Sequence, residues 1–329
     1  MSRRAPSILL HRAEAVKVLR SIVKSGFFSA IAALASYLLV VALARIADRE
    51  VFAEYAYVVA CGVVLQLLID CAADQCGSHF MLAKERDGRE WSAVFRVILL
   101  MKGGMFLLVA IVVAGLHYLD WGVRIPPASL MLLVPTFGPG PILELMGKNM
   151  QYALTIAIER ALLLVLVPLY IYFQGLDLGT FAVHMGVSLL TVSVQWRFAK
   201  LHFGASLRQW REAGDYLRVY WPIYLSQISQ AAYGHASRII VEARKGLLAF
   251  GSVALAMQVL NTVSLAQSLV ERHFRPAINR AVLAGDIAAL RELSVRYLSW
   301  YVLPLGLGAV VVFIAAESIV SVQIGRAHV

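Results

Sequence analysis

Two cations stand inside stretches that otherwise look built for lipid. Lys102 lies within VILLMKGGMFLLVAIVVAGL (Val97–Leu116), and Arg160 lies within the apolar run Tyr152–Phe173. A charge at the centre of a bilayer costs at least about 2.5–3.5 kcal/mol on insertion scales, so each cation needs a purpose. Counted from the ends of their apolar runs, Lys102 is about 7.5 Å deep and Arg160 about 12 Å. At comparable depth, a forked guanidinium and a point-charge ammonium could together hold an anion. In that case Gly103 and Gly104 would admit a close neighbour while the ammonium faces a cavity. Two plainer readings stay open: the Lys102 stem snorkels to the interface, and Arg160 pairs locally with Glu144 or another acid.

Other polar residues fall in register. Gln227, Gln230, Gly234 and Arg238 are spaced three, four and four apart, and Gln258, Asn261, Ser268 and Glu271 share a second face. Such amides line a wet cavity for a hydroxyl-rich ligand, or else bond helix to helix at about 0.6 kcal/mol per contact. Asp70 and Asp74, four apart, share a face and could titrate during ion coupling, or could cap a helix and pair with loop cations such as Lys84. His184 and His235 are isolated and read as packing residues. Cys61, Cys71 and Cys76 form no C-x-x-C pattern, so neither a metal nor a cofactor is expected.

The elements that must position these residues are membrane helices. The 329 residues are 60% hydrophobic and 15% charged, with a mean hydropathy of +0.73, whereas soluble domains carry about 25% charged residues. Apolar runs of about 20 residues recur, the length that crosses a hydrocarbon core, and the short alternating segments of a β-barrel do not. The reading is an all-α polytopic membrane helix bundle. It has nine spans: 27–46, 51–73, 97–116, 125–146, 152–173, 178–198, 219–240, 247–269 and 297–319. The fourth holds Pro126, Pro127, Pro135, Pro139 and Pro141 and must bend or break. Lys and Arg divide twenty to six between alternate loops, which places the N-terminus in the cytoplasm. The net charge of +10 therefore belongs to membrane topology and not to nucleic-acid binding.

Residues 1–26 are too long and polar for a cleaved signal and read as a cytoplasmic amphipathic N-terminus. A first six-helix bundle (27–198) is followed by a basic, aromatic cytoplasmic linker (199–218) and a partial second bundle (219–323). A faint echo supports two halves: Arg49-Glu-Val-Phe-Ala after the first span resembles Lys245-Gly-Leu-Leu-Ala after the seventh. The last six residues, IGRAHV (324–329), can be encoded by a sequence matching a sequencing adapter. The expectation is an adapter-derived tail on a chain truncated after its ninth helix.

VVALARIADREVFAEYAYVVACGVVLQLLIDCAADQCGSHF (Val40–Phe80) resembles the first helix pair of bacterial polysaccharide flippases, the Wzx-type transporters of the multidrug/oligosaccharidyl-lipid/polysaccharide exporter superfamily. The likeness rests on Leu43-Ala-Arg45, Asp48-Arg-Glu50, Phe52, Tyr55-Ala56 and Asp70. Tyr216-Leu-Arg-Val-Tyr-Trp-Pro222 and residues 280–291 resemble later parts of the same family, although Ser237 stands before Arg238 where the family often has Asp. The resemblance implies a MATE-like two-bundle architecture, here with an incomplete second half. It implies that undecaprenyl-pyrophosphate-linked oligosaccharide crosses the bacterial inner membrane from cytoplasmic to periplasmic leaflet for surface polysaccharide biosynthesis. Lys102 and Arg160 would then grip the pyrophosphate. Gln227, Gln230, Arg238, Gln258 and Asn261 would meet the glycan, and Asp70 and Asp74 would serve a coupling ion, H+ or Na+.

Two other classes compete. An ion-coupled MATE-type exporter of small molecules or drugs should carry acids in its cavity, whereas the deep charges recognised here, Lys102 and Arg160, are positive. A glycan polymerase or glycosyltransferase would need a carboxylate or histidine cluster and usually a sizeable outer loop. No DxD or Walker motif occurs, so the expectation is a transporter without covalent chemistry.

Overall fold

The computed structural model describes residues 6–88, 90–119, 125–200 and 207–314; side chains are described from Val23 onward, and only in part through the last three helices. Every regular element among the described residues is helical. In chain order these are α1 (Pro6–Ile46), α2 (Arg49–Asp70), α3 (Ala73–Glu85), α4 (Trp91–Leu119) and a 3-10 segment (Pro127–Phe137). They are followed by α5 (Gly140–Leu145), α6 (Asn149–Gln174), α7 (Leu178–Ala199), α8 (Leu207–Lys245), α9 (Leu247–Ala284) and α10 (Ile287–Ile314).

Six segments of this described set are long and apolar enough to cross a membrane: Val23–Ile46, Arg49–Glu85, Trp91–Leu119, Pro127–Leu145, Asn149–Gln174 and Leu178–Ala199. The chain is a multi-pass helical membrane protein. These six correspond to the first six expected spans. The last three fall in α8, α9 and α10, many of whose side chains lie outside the described set. Lipid-facing Tyr118, Tyr172 and Phe173 are strongly exposed at the common end of α4 and α6, as an interfacial aromatic belt requires. The opposite end carries the basic connections.

Three boundaries differ from the sequence reading. Helix α1 is continuous through residue 26, so no break separates an N-terminal segment from the first span. Helix α8 joins most of the expected linker to the span after it, with Pro222 inside; residues 201–206 lie outside the described set. Helix α9 continues fifteen residues past the expected end at 269, to Ala284. Residues 315–329, the adapter-like IGRAHV included, also lie outside the described set.

Two spans are broken, and the breaks explain the buried polar groups. Between α2 and α3, Cys71 (φ 49°) and Ala72 (φ 60°) are left-handed although neither is glycine, a conformation disfavoured by about 1–2 kcal/mol per residue. Both are fully buried. In the fourth span the prolines remove amide donors, and eleven residues run as a 3-10 helix, far longer than the usual three or four.

Carbonyls freed at such breaks have no water to turn to, so side chains must meet them. Leu132, three residues before Pro135, accepts from Gln66 Nε2 at 2.5 Å. Thr136, three before Pro139, accepts from Lys102 Nζ at 2.8 Å. Phe137, four before Pro141, accepts from Trp196 Nε1 at 3.1 Å. Each is a position whose helical donor would have been a proline nitrogen. At the α2–α3 break, Tyr224 donates to the Leu68 carbonyl at 2.8 Å and Tyr216 to that of Cys71 at 3.3 Å.

The two breaks are tied by one ion pair. Asp70 Oδ2 accepts the Asp74 amide in the first turn of α3 at 3.0 Å, while Oδ1 meets Lys102 Nζ at 2.6 Å. Lys102 is 1% exposed. Measured along α4 from Trp91 it is eleven residues in, about 16 Å, and its ammonium points inward. The snorkelling expectation is therefore corrected, and so is the close-neighbour role for Gly103, because a Cβ there would meet nothing within 4 Å. The close approach occurs at Gly62 instead, where a Cβ would stand 2.9 Å from Leu132 Cδ1, which lets α2 lie against the 3-10 segment.

The remaining packing follows. Helix α6 lies along α1, and the 3-10 segment is wedged between α2 and α7. Helix α9 crosses α1 and α2, and α8 packs on α4, α2 and α9. Phe80, Tyr216 and Tyr220 form an edge-to-face cluster that seats α8 on α3.

Replacing Lys102 by Met leaves a buried, uncompensated Asp70 and an unmet Thr136 carbonyl, which should destabilise the protein by about 3–5 kcal/mol. The pair Lys102→Met with Asp70→Asn should regain part of that loss, because the Asn oxygen still accepts the Asp74 amide. Thermal midpoints in one detergent for the wild type, both single variants and the double variant check this. Equal midpoints for Lys102→Met and wild type would contradict the arrangement.

Candidate functional site

A cavity of about 450 Å³ lies between the first helices and the α8–α9 pair. Its walls come from α1, α2, α3, the 3-10 segment, α6, α8 and α9. Ser25 and Ser29 of α1, Gln66 of α2 and Gln227 of α8 give it a polar lining.

The expected site residues scatter with respect to this space. Arg160 lines it, half-buried on α6. Among the described residues no carboxylate pairs with Arg160, and Glu144, the partner considered for it, is bonded to Arg275 instead. Gln227 lines the cavity too, and its Oε1 is buried without a hydrogen-bond partner. Asp70 and Asp74 both reach the lining. Lys102 does not, being spent on Asp70 and Thr136 behind the wall. Lys102 and Arg160 are therefore not brought together as a clamp. Gln230 is exposed and away from the lining. The side chains of Arg238, Gln258 and Asn261 lie outside the described set, as do those of His235, Ser237 and Ser268.

Three charged groups that the sequence reading had left in a loop or on another face belong to the site. Arg272 and Arg275, counted among loop cations, stand on α9 together with Glu271 and line the cavity. With Asn279 they follow a three-then-four spacing, one helical face. That spacing was present in the sequence and was hidden by the apolar window ending at Leu269.

This α9 face closes one wall. Arg272 Nη2 lies 3.5 Å from Asp74 Oδ2, and its guanidinium sits 4.4 Å from the Tyr152 ring centroid, a cation–π distance. Arg275 meets Glu144 at 3.3 Å and Glu271 at 3.5 Å and donates to the Asp74 carbonyl. Asn279 donates to Ser78 Oγ at 3.1 Å. One helix face is thus pinned to α3, α5 and α6 at the basic end of the bundle.

The fourth acid of the lining differs. Glu159, 2% exposed, accepts from Ser188 Oγ at 2.6 Å, and no cation among the described residues lies within ion-pair distance. A parallel bond links Gln195 to Thr155 across the same α6–α7 contact. His184, one turn before Ser188, is bonded to Tyr55 at 2.8 Å and belongs to packing as expected.

The deep charges are consequently mixed, which corrects the impression of positive charge alone. Asp70, Asp74 and Glu144 are each matched by an internal cation, whereas among the described cavity-lining residues Arg160 has no acid partner and Glu159 no cation within ion-pair distance. No group of His, Cys, Asp and Glu suited to a metal ion occurs among the described residues. No family model, no curated protein and no solved structure matches the chain.

Ser78, 1% exposed beneath α9, reports on this closure. A Ser78→Cys variant should react slowly with a bulky maleimide, against a low background from the buried Cys61, Cys71 and Cys76. Adding Arg275→Gln strands Glu144 and should speed that labelling by at least about tenfold, since losing one partner of a buried pair removes several kcal/mol. Unchanged labelling kinetics would show that the ion pairs do not hold α9 in place.

Proposed function

We propose that the chain is a transporter that flips undecaprenyl-pyrophosphate-linked oligosaccharide from the cytoplasmic to the periplasmic leaflet of a bacterial inner membrane. The observation that carries this reading is Arg160, a cavity-lining guanidinium with no acidic partner among the described residues. An uncompensated intramembrane cation is costly unless an anion completes it, and a guanidinium suits a phosphoryl group through two parallel donors. The orphan Oε1 of Gln227 supports the glycan side, because a sugar hydroxyl supplies the donor it lacks. The serines of α1 and Gln66 extend that polar lining.

Rocking of two bundles in a MATE-like arrangement moves such a cargo without covalent chemistry. The first bundle is the α1–α7 set and the second begins with α8–α10. In this reading the basic loops, the N-terminus and the α9 ion pairs are cytoplasmic, so the α9 wall is the cytoplasmic closure and the cavity behind it opens toward the periplasm. The expected substrate contacts are Arg160 and Gln227, and Lys102 acts through the scaffold.

A second reading, an ion-coupled exporter of small cations, is favoured by Glu159, a buried carboxylate with no cation within ion-pair distance among the described residues. One titration separates the two. The whole chain in lipid nanodiscs is offered a prenyl-pyrophosphoryl-N-acetylglucosamine diester and, separately, tetraphenylphosphonium. The flippase reading expects diester binding that falls by roughly 10- to 100-fold in Arg160→Gln, the worth of a charge-assisted contact. Binding of tetraphenylphosphonium alone, lost in Glu159→Gln, would favour the exporter and end the flippase reading.

A further inference from the structure

We infer that the outer face of α4 holds an anionic phospholipid, with Arg96 as its headgroup contact and Gly103 as the notch that seats an acyl chain. The inference is independent of what crosses the cavity, because Arg96 and Gly103 lie off its lining.

Helical spacing puts Arg96, Gly103, Leu107, Ile111, Ala114 and Tyr118 on one stripe, at steps of seven, four, four, three and four. Leu107, Ile111 and Tyr118 are 63%, 69% and 86% exposed, so the stripe faces lipid. Arg96 and Tyr118 are twenty-two residues apart, about 33 Å along a helix and close to the thickness of a hydrocarbon core. With Tyr118 in the aromatic belt at one interface, Arg96 stands at the headgroup level of the other. Gly103 is about 10 Å deeper. A Cβ there would meet nothing within 4 Å, so the space beside it is open at the depth of the upper acyl chain.

The cation of this stripe is unengaged. At the same end of the bundle, Lys84 stands over the Phe80 ring at 5.7 Å, and Lys148 donates to the Phe198 carbonyl at 2.7 Å. Arg272 and Arg275 are held by acids. Arg96 makes no hydrogen bond or ion pair with a described residue, and its Nε is buried without an acceptor. Half-buried as it is, the side chain gives up no bond when it swings outward. Two oxygens of a phosphodiester can then accept from Nε and one Nη in parallel. Glu90, the acid nearest in sequence, lies about 120° round the helix and accepts from Ser92 Oγ at 3.4 Å. No described carboxylate therefore competes for the guanidinium, and its uncompensated positive charge favours a headgroup of net negative charge over a zwitterionic one.

The experiment is native mass spectrometry of the whole chain released from detergent. Phosphatidylglycerol and phosphatidylcholine of identical acyl chains are offered separately at matched concentration. The wild type should retain one phosphatidylglycerol at least about tenfold more tightly than phosphatidylcholine, the worth of a charge-assisted contact. Arg96→Gln should lose that preference, and Arg96→Lys, which keeps the charge without the fork, should keep part of it. Gly103→Leu fills the notch and should weaken phosphatidylglycerol retention, while excess inorganic phosphate should leave wild-type retention unchanged. Both positions face lipid, so the fold does not depend on them. Equal retention of the two lipids by the wild type, an undiminished preference in Arg96→Gln, or retention unmoved in Gly103→Leu overturns the site. Displacement of the lipid by inorganic phosphate would reduce it to an anion contact without an acyl seat, and overturns it too. Dimers that disappear in Gly103→Leu would give the stripe to a second copy of the chain instead of a lipid.

Discussion

The bond between Asp70 and Lys102, 2.6 Å long with its ammonium sealed from solvent, is the constraint around which the first half of the chain is arranged. A span that breaks inside a membrane frees backbone groups that nothing in hydrocarbon can satisfy. Two spans break here, one at Cys71 and Ala72 and one along its prolines. Asp70 completes the first break by accepting the Asp74 amide, and Lys102 completes the second by donating to the Thr136 carbonyl. Each charge makes the other tolerable. Buried pairs of this kind add little net stability, yet losing one partner is severe, so the pair fixes register more than it deepens the energy well.

Breaking the helices has a geometric result. The lining includes Asp70 and Asp74 from the first break and Pro135 and Thr136 from the second, so the irregular backbone borders the cavity and does not face lipid. Irregular backbone survives at membrane depth where protein or a water-filled space surrounds it. Gln66, Trp196, Tyr216 and Tyr224 cover further carbonyls at the breaks from three helices, which ties α2, α7 and α8 to the same two breaks.

Much of this was legible in the sequence, and the limits have physical causes. Apolar runs of membrane-crossing length gave the all-helical class and the first six spans directly, because hydropathy reports on a solvent that every lipid-facing residue shares. The five prolines announced a broken fourth span. Asp70 and Lys102 each stood out as a buried charge, but their pairing did not, since it depends on how α2 and α4 cross. The depth of Lys102 was misjudged for a related reason. Helix α4 starts at Trp91, so the apolar run beginning at Val97 understated how far along it lies. Arg272 and Arg275 were assigned to a loop because hydropathy falls after Leu269 while the helix does not end. Their spacing with Asn279 held the missing signal, a polar face on a helix that had outrun its apolar window.

The contrast between the two sets of ion pairs bears on how a cavity of this construction could move. Lys102 is walled off, and no ligand in the cavity can compete for it. Arg272 and Arg275 themselves line the cavity, and the Asp74 side chain opposite them is 53% exposed, with the Arg272 contact at 3.5 Å. That is a long and partly solvated pair, worth little by itself. A phosphoryl group offering bidentate acceptors is a stronger partner for a guanidinium than a half-exposed carboxylate at that distance. An anion that reached the α9 wall would therefore replace the contacts that keep it closed, while the Asp70–Lys102 pair kept both helix breaks in place. The Lys102 ammonium that anchors the permanent pair sits behind the wall and the exchangeable charges in it, which lets one face of α9 let go without unravelling the spans it rests on.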